Sequence, residues 1–370
     1  MNEIEIGPGK RARQAYSFDD IAIVPSRRTR DPEDVSISWQ IDAYKFALPL
    51  LAAPMDSVVS PETAIAIGKL GGLGVLNLEG LWTRHEDPRI ALAEIASLPQ
   101  EQAISRMQEL YSAPIQPELM KARIAEIRAA GVTVAAALSP QRTAQFANDV
   151  IKAGVDLFVI RGTTVSAEHV ATSREPLNLK KFIYELDAPV IVGGCATGTG
   201  ALHLMRAGAA GVLVGFGGGS AHTTRNVLGI SVPMASAVAE VASARRDYLD
   251  ESGGRYVHVI ADGSVGISGD IAKAIACGAD AVMMGSPLAK AVESPGKGWH
   301  WGLEAAHDEL PRGNRVKVGT VGTLEEILLG PSHTAEGSMN LFGSLRRAMA
   351  TTGYSDLKEF QRVEIVVQRA

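Results

Sequence analysis

Eight short apolar runs, separated by longer amphipathic stretches, recur along most of this chain. They are Leu48–Ala53, Leu73–Leu78, Val132–Leu138, Asp156–Ile160, Pro189–Gly193, Gly211–Val214, Val257–Ala261 and Ala281–Met284. Uninterrupted apolar runs of this length suit strands covered on both faces, and the stretches between them are long enough for the crossovers that parallel strands need. Helical periodicity follows at Ser60–Lys69, Pro140–Ala153, Gly200–Ala207, Pro233–Tyr248 and Ser268–Ala276. Gly71, Gly131, Gly154, Gly208 and Gly278 each stand just before the next run or at its start, where a left-handed residue closes a helix. Eight βα units predict an α/β chain closed into a (β/α)8 (TIM) barrel. A doubly wound open sheet is the alternative, disfavoured by so regular a count.

The regular spacing breaks twice. Leu81 to Ala130, rich in Glu, Arg and Ala, predicts a helical insertion of two or three helices after the second strand. Residues 293–337, with Pro295, Pro311 and several glycines, predict a lid over the C-terminal ends of the strands, ahead of a helix from Met339 to Thr351. Both belong to one barrel domain spanning residues 1–370. A formal charge of −5 gives no reason to expect nucleic acid or an anionic membrane as partner. The first twenty residues lack an apolar targeting core, and no run is long enough to span a bilayer. Cys195 and Cys277 have no metal-ligand spacing. A soluble cytoplasmic protein is the expectation.

Chemistry gathers at three strand ends. The sixth run leads into Gly215, Gly217, Gly218, Gly219 and Ser220, within VLVGFGGGSAHTTR; the seventh ends in Asp262-Gly263-Ser264 and the eighth in Gly285-Ser286. Glycines clear side chains away so that backbone N–H groups can close on an anion, and each turn adds a hydroxyl. Taken singly these are tight βα turns. Together they predict a phosphorylated ligand, with Asp262 free to accept from a ribose diol.

At these residues the chain resembles the IMP dehydrogenase/GMP reductase family, from Ser17 to about Phe360. Ser17-Phe-Asp-Asp20 with Val24-Pro25, Ala53-Pro-Met-Asp-Ser-Val58, Ile260-Ala-Asp-Gly263, Ser268-Gly-Asp-Ile-Ala-Lys-Ala274, Ala281-Val-Met-Met-Gly-Ser286 and Gly343-Ser-Leu-Arg-Arg347 carry the likeness. The resemblance implies an oxidoreductase of guanine nucleotide metabolism, GMP biosynthesis included, binding a purine nucleoside monophosphate (IMP, XMP or GMP). Gly219, Ser220, Gly263, Ser264, Gly285 and Ser286 would hold the phosphate, Asp262 the ribose, and Met55 the base. It also implies NAD, with NADP open, and a homotetramer. A monovalent cation, K+, on Gly217, Gly219 and His222 stays open. The Leu81–Ala130 helices occupy the place where the family usually carries a CBS regulatory pair.

The departures are as specific as the match. The family's loop ends in Cys-Thr-Thr-Arg, whose thiolate attacks C2 of the purine; here His222 precedes Thr223, Thr224 and Arg225. His222 and Thr224 are the candidate catalytic residues. His222 is a general base on attacking water, a ligand contact, or an idle polar residue. Cys195 is either a relocated nucleophile or a small buried hydrophobe. The fourth run ends in Arg161-Gly162-Thr163, the candidate cofactor contacts, where the family carries a carboxylate. The stretch Arg315–Thr323 lacks the family's Arg-Tyr pair, and the flap that follows is shortened. Glu325 and Glu326 suit a solvated helix start better than catalysis. A silent nucleotide-binding sensor or partner subunit is therefore the alternative to an oxidoreductase.

Overall fold

A computed structural model describes residues 3–172, 176–216, 218–310 and 312–368. Eight parallel strands form a closed barrel: β1 (Leu50–Ala52), β2 (Leu73–Asn77), β3 (Ala135–Leu138), β4 (Leu157–Arg161), β5 (Val190–Cys195), β6 (Gly211–Val214), β7 (His258–Asp262) and β8 (Ala281–Met284). Closure comes from β8 pairing with β1, Val282 opposite Leu50 and Met284 opposite Ala52. All eight expected runs are the barrel strands, and the open-sheet alternative is excluded. The residues of β1, β2, β3, β5, β6 and β8 are buried throughout, which is why these strands read as continuous apolar runs.

Three strands run past the ends that apolarity alone marks. Arg161, Cys195 and Asp262 are the last residues of β4, β5 and β7. The ladder therefore fixes Arg161 and Asp262 where they enter the barrel mouth. The glycines Gly71, Gly131, Gly154, Gly208 and Gly278 all have positive φ, between 72° and 112°, and close their helices as the spacing predicts.

After β1 comes α1 (Pro61–Lys69), capped by Ser60, whose hydroxyl accepts from the Thr63 N–H. Leu81 to Ala130 folds into a short 3-10 turn followed by α2 (Pro88–Ser97), α3 (Gln100–Ser112) and α4 (Pro117–Ala129). Helix α4 packs against both α1 and α5 (Pro140–Ala153), so it is the outer-ring helix between β2 and β3. The inserted pair is thus α2 and α3. Outside the barrel, Ile365–Val367 pairs with Ile21–Ile23, and Glu3–Gly7 forms a hairpin with Lys10–Arg13.

The floor of the barrel is held by a buried carboxylate. Asp280, just before β8, accepts from Arg245 at 2.8 Å, from Tyr256 at 2.7 Å and from the Val259 N–H at 2.9 Å, and pairs with Lys358. His258 lies beside it and accepts from the Trp39 indole N–H at 3.1 Å. Among the described residues no helix is long and apolar enough to cross a membrane.

Candidate active site at the barrel mouth

The ends of β6, β7 and β8 build a groove of about 410 Å3 whose lining includes Gly219, Ser220, Gly263, Ser264, Gly285 and Ser286. Ser220 and Ser286 meet at 2.8 Å between hydroxyls, and Ser264 Oγ donates to the Gly218 carbonyl at 3.3 Å. The two loops approach so closely that a Cβ on Gly218 would lie 2.2 Å from Ser264 Oγ. Lys290 also lines this groove. Gly217 lies outside the described residues. Gly219, named with it for a cation, spends its carbonyl on the His222 N–H at 3.1 Å.

Deeper in, the mouth narrows to about 30 Å3, lined among others by Met55, Arg161, His222, Asp262 and His300. On the scale where a water needs roughly 10–15 Å3, this holds a couple of waters and no purine without movement. Its charged groups pair with one another. Arg161 Nε donates to Asp262 Oδ2 at 3.2 Å, and both side chains are largely buried. Burial alone would depress the guanidinium, but Asp262 and then Glu304 hold it above its ordinary value. Glu304 is likewise disfavoured by burial, yet His222 and Arg161 keep its carboxyl below the usual range. A Cβ on Gly302 would lie 2.9 Å from Glu304 Oε2 and 3.6 Å from His222 Cε1, which puts carboxylate and imidazole side by side. Thr224, named with His222, is buried at the start of the helix Thr224–Leu228 and lines neither space.

Part of the expected lid reaches this mouth. Gly313 bridges to His222, the Thr223 N–H donates to the Arg312 carbonyl at 2.8 Å, and the Asn314 N–H to the Ala221 carbonyl at 2.8 Å. The flap brings His300, Trp301 and Glu304 to the site, none of which belongs to a motif. His300 Nδ1 is 3.0 Å from Ser57 Oγ, and burial, then His222, pushes the ring down to about 3. Trp301 is fully buried; its indole N–H donates to Tyr111 Oη at 2.9 Å, and Tyr111 donates to Asp56 Oδ2 at 2.6 Å. The one available signal was the aromatic pair Trp299 and Trp301 in a chain only 5% aromatic. Arg315 covers the Trp299 ring at 4.0 Å and bonds the Leu98 carbonyl at 2.7 Å, so it is a flap anchor. Glu326 caps its own helix through the Thr323 N–H at 2.8 Å.

Two of the residues expected to receive a cofactor are engaged within the protein. Arg161 turns across the mouth to Asp262 instead of outward. Gly162 has its N–H on the Gly193 carbonyl and its carbonyl on the Gly194 N–H, both at 2.9 Å. Cys195 is no nucleophile: it is buried, its Sγ lies 3.4 Å from the Leu213 carbonyl, and burial pushes its thiol up to about 12. Burial holds the Cys277 thiol at about 12 as well.

Residues 15–302 match the model of the IMP dehydrogenase / GMP reductase domain. A protein of Mycolicibacterium smegmatis named as an uncharacterized oxidoreductase is 55% identical over 98% of this chain and 99% of its own length. The inosine-5'-monophosphate dehydrogenase of Methanocaldococcus jannaschii is 30% identical over 77% of this chain and 74% of that protein. The crystal structure of an IMP dehydrogenase/GMP reductase-like protein from Corynebacterium glutamicum superimposes with a TM-score of 0.94 at 53% identity, covering 99% of this chain and 98% of that one.

Proposed function

The chain belongs to the IMP dehydrogenase/GMP reductase family, and from that premise we propose that it binds a purine nucleoside monophosphate at the barrel mouth. In this reading it is an IMP dehydrogenase-like oxidoreductase of guanine nucleotide metabolism, cytoplasmic and tetrameric like the family it resembles. Its phosphate rests on Ser220, Gly263, Ser264, Gly285 and Ser286, its ribose on Asp262, and its base against Met55. The observation that carries the proposal is the 410 Å3 groove, in which three glycine turns, each with a serine, converge from neighbouring strands.

Chemistry at the base falls to His222. No low-pKa thiol stands near the mouth, so covalent attack by sulfur is unavailable. His222, beside the Glu304 carboxylate, is placed to take a proton from water. NAD or NADP would supply the hydride acceptor that such an oxidation needs.

A second reading, a catalytically silent nucleotide-binding protein, is favoured by the Arg161–Asp262 pair, which occupies the ribose acceptor. Calorimetric titration with IMP, XMP and GMP, followed by NAD or NADP with absorbance of the reduced cofactor, separates the two. Binding with turnover that disappears in His222→Ala supports the oxidoreductase; binding without turnover supports the silent protein. Absence of binding by all three nucleotides overturns both.

A further inference from the structure

We propose that Tyr111 is a positioning residue of this mouth: through it the inserted pair α2–α3, rather than an arriving ligand, holds the flap down on the barrel. Tyr111 lies on α3, and its hydroxyl bridges two groups, one of them in a loop that Ser57 also ties to the backbone of Trp301. It accepts from the Trp301 indole N–H at 2.9 Å and donates to Asp56 Oδ2 at 2.6 Å. Asp56 belongs to the loop after β1 and is itself held by the Leu81 N–H at 2.8 Å. Trp301 follows His300 directly and stands three residues before Glu304, so fixing its indole fixes both groups that face His222.

The same helix pair grips the flap at two further points. Gln108 donates to the His307 carbonyl at 2.7 Å. On the returning strand, Gln100 donates to Asn314 Oδ1 and to the Arg315 carbonyl, each at 3.1 Å, while Arg315 reaches back to the carbonyls of Ile95 and Leu98. Start, middle and return of the flap are thus each tied to the insertion, and the tie at the start, between Trp301 and Tyr111, is the buried one. A segment tied at its start, middle and return opens less often than an untied loop.

Hydrogen–deuterium exchange on the full chain, with no ligand added, tests this without recourse to the nucleotide reading. Tyr111→Phe keeps the ring in the core and deletes both hydrogen bonds of the hydroxyl. Amides of Trp301–Ala306 and Arg315–Val318 are expected to exchange about tenfold faster, with those of Val190–Cys195 unchanged. Gln108→Ala, at an exposed position, is expected to speed exchange around His307 alone. Unchanged flap exchange in Tyr111→Phe, or acceleration shared equally by the barrel strands, overturns the proposal. Failure of nucleotide binding would leave this result standing.

Discussion

His222 stands where the resemblance expects a thiol, and its neighbours decide what could replace it. A cysteine there would face Glu304, whose negative charge disfavours a thiolate. His222→Cys is therefore expected to raise IMP-dependent reduction of NAD by less than about tenfold, checked by absorbance. A hundredfold gain would mean the rest of the oxidative machinery is intact. Arg161 makes the opposite case: its side chain competes for the carboxylate that a ribose would use. Arg161→Leu is expected to tighten IMP binding about tenfold in calorimetry while lowering stability by about 3 kcal/mol, because Asp262 is left buried without its partner. Weaker IMP binding in that variant would show that the arginine orients Asp262 for the ligand.

At the scale of elements, the groove depends on loops that touch. Gly218→Ala would drive a methyl group into Ser264 Oγ, so loss of monophosphate binding is expected with the barrel still folded by circular dichroism. Glu326→Ala tests a different element: it removes the cap of the helix Leu324–Leu329 and is expected to cost about 1 kcal/mol in denaturant unfolding, with binding unaltered. Most of the groove was legible in sequence, because glycine and serine at a strand end betray a turn whatever surrounds it. The chamber beneath was not. Arg161 read as an outward cofactor contact, since nothing local says that Asp262, on a strand three places round the barrel, is within reach. Tyr111 and Trp301 meet across 190 positions of chain, and helical periodicity in α3 marks Tyr111 only as another buried aromatic. Pro114 and Pro117 mark the break between α3 and α4, but which of these helices belongs to the barrel shows only in the packing of α4 on α1 and α5.

At the scale of the whole molecule, the two faces of the barrel differ: the mouth gathers polar groups around an open groove, the floor around a buried carboxylate. His258 is held neutral by burial at about 4, and His300 at about 3. Both would titrate near 6.5 when unfolded. The unfolded chain thus binds more protons below that value, and stability falls as pH drops from about 6.5 to 4, by on the order of 3 kcal/mol for His258 alone. Asp280 follows at lower pH. Burial would raise its carboxyl, but Arg245, Lys358 and His258 hold it at about 2, so its contribution is present above the ordinary carboxylate range and disappears as pH falls toward 2. Urea unfolding at stepped pH checks the profile, and His258→Gln is expected to flatten the upper part of it. A roof fastened by the protein itself also has a kinetic signature. Whatever enters the inner chamber must wait for an opening event, so the observed association rate should climb with ligand concentration and then level off at the rate of that event, in stopped-flow traces where simple collision would keep rising.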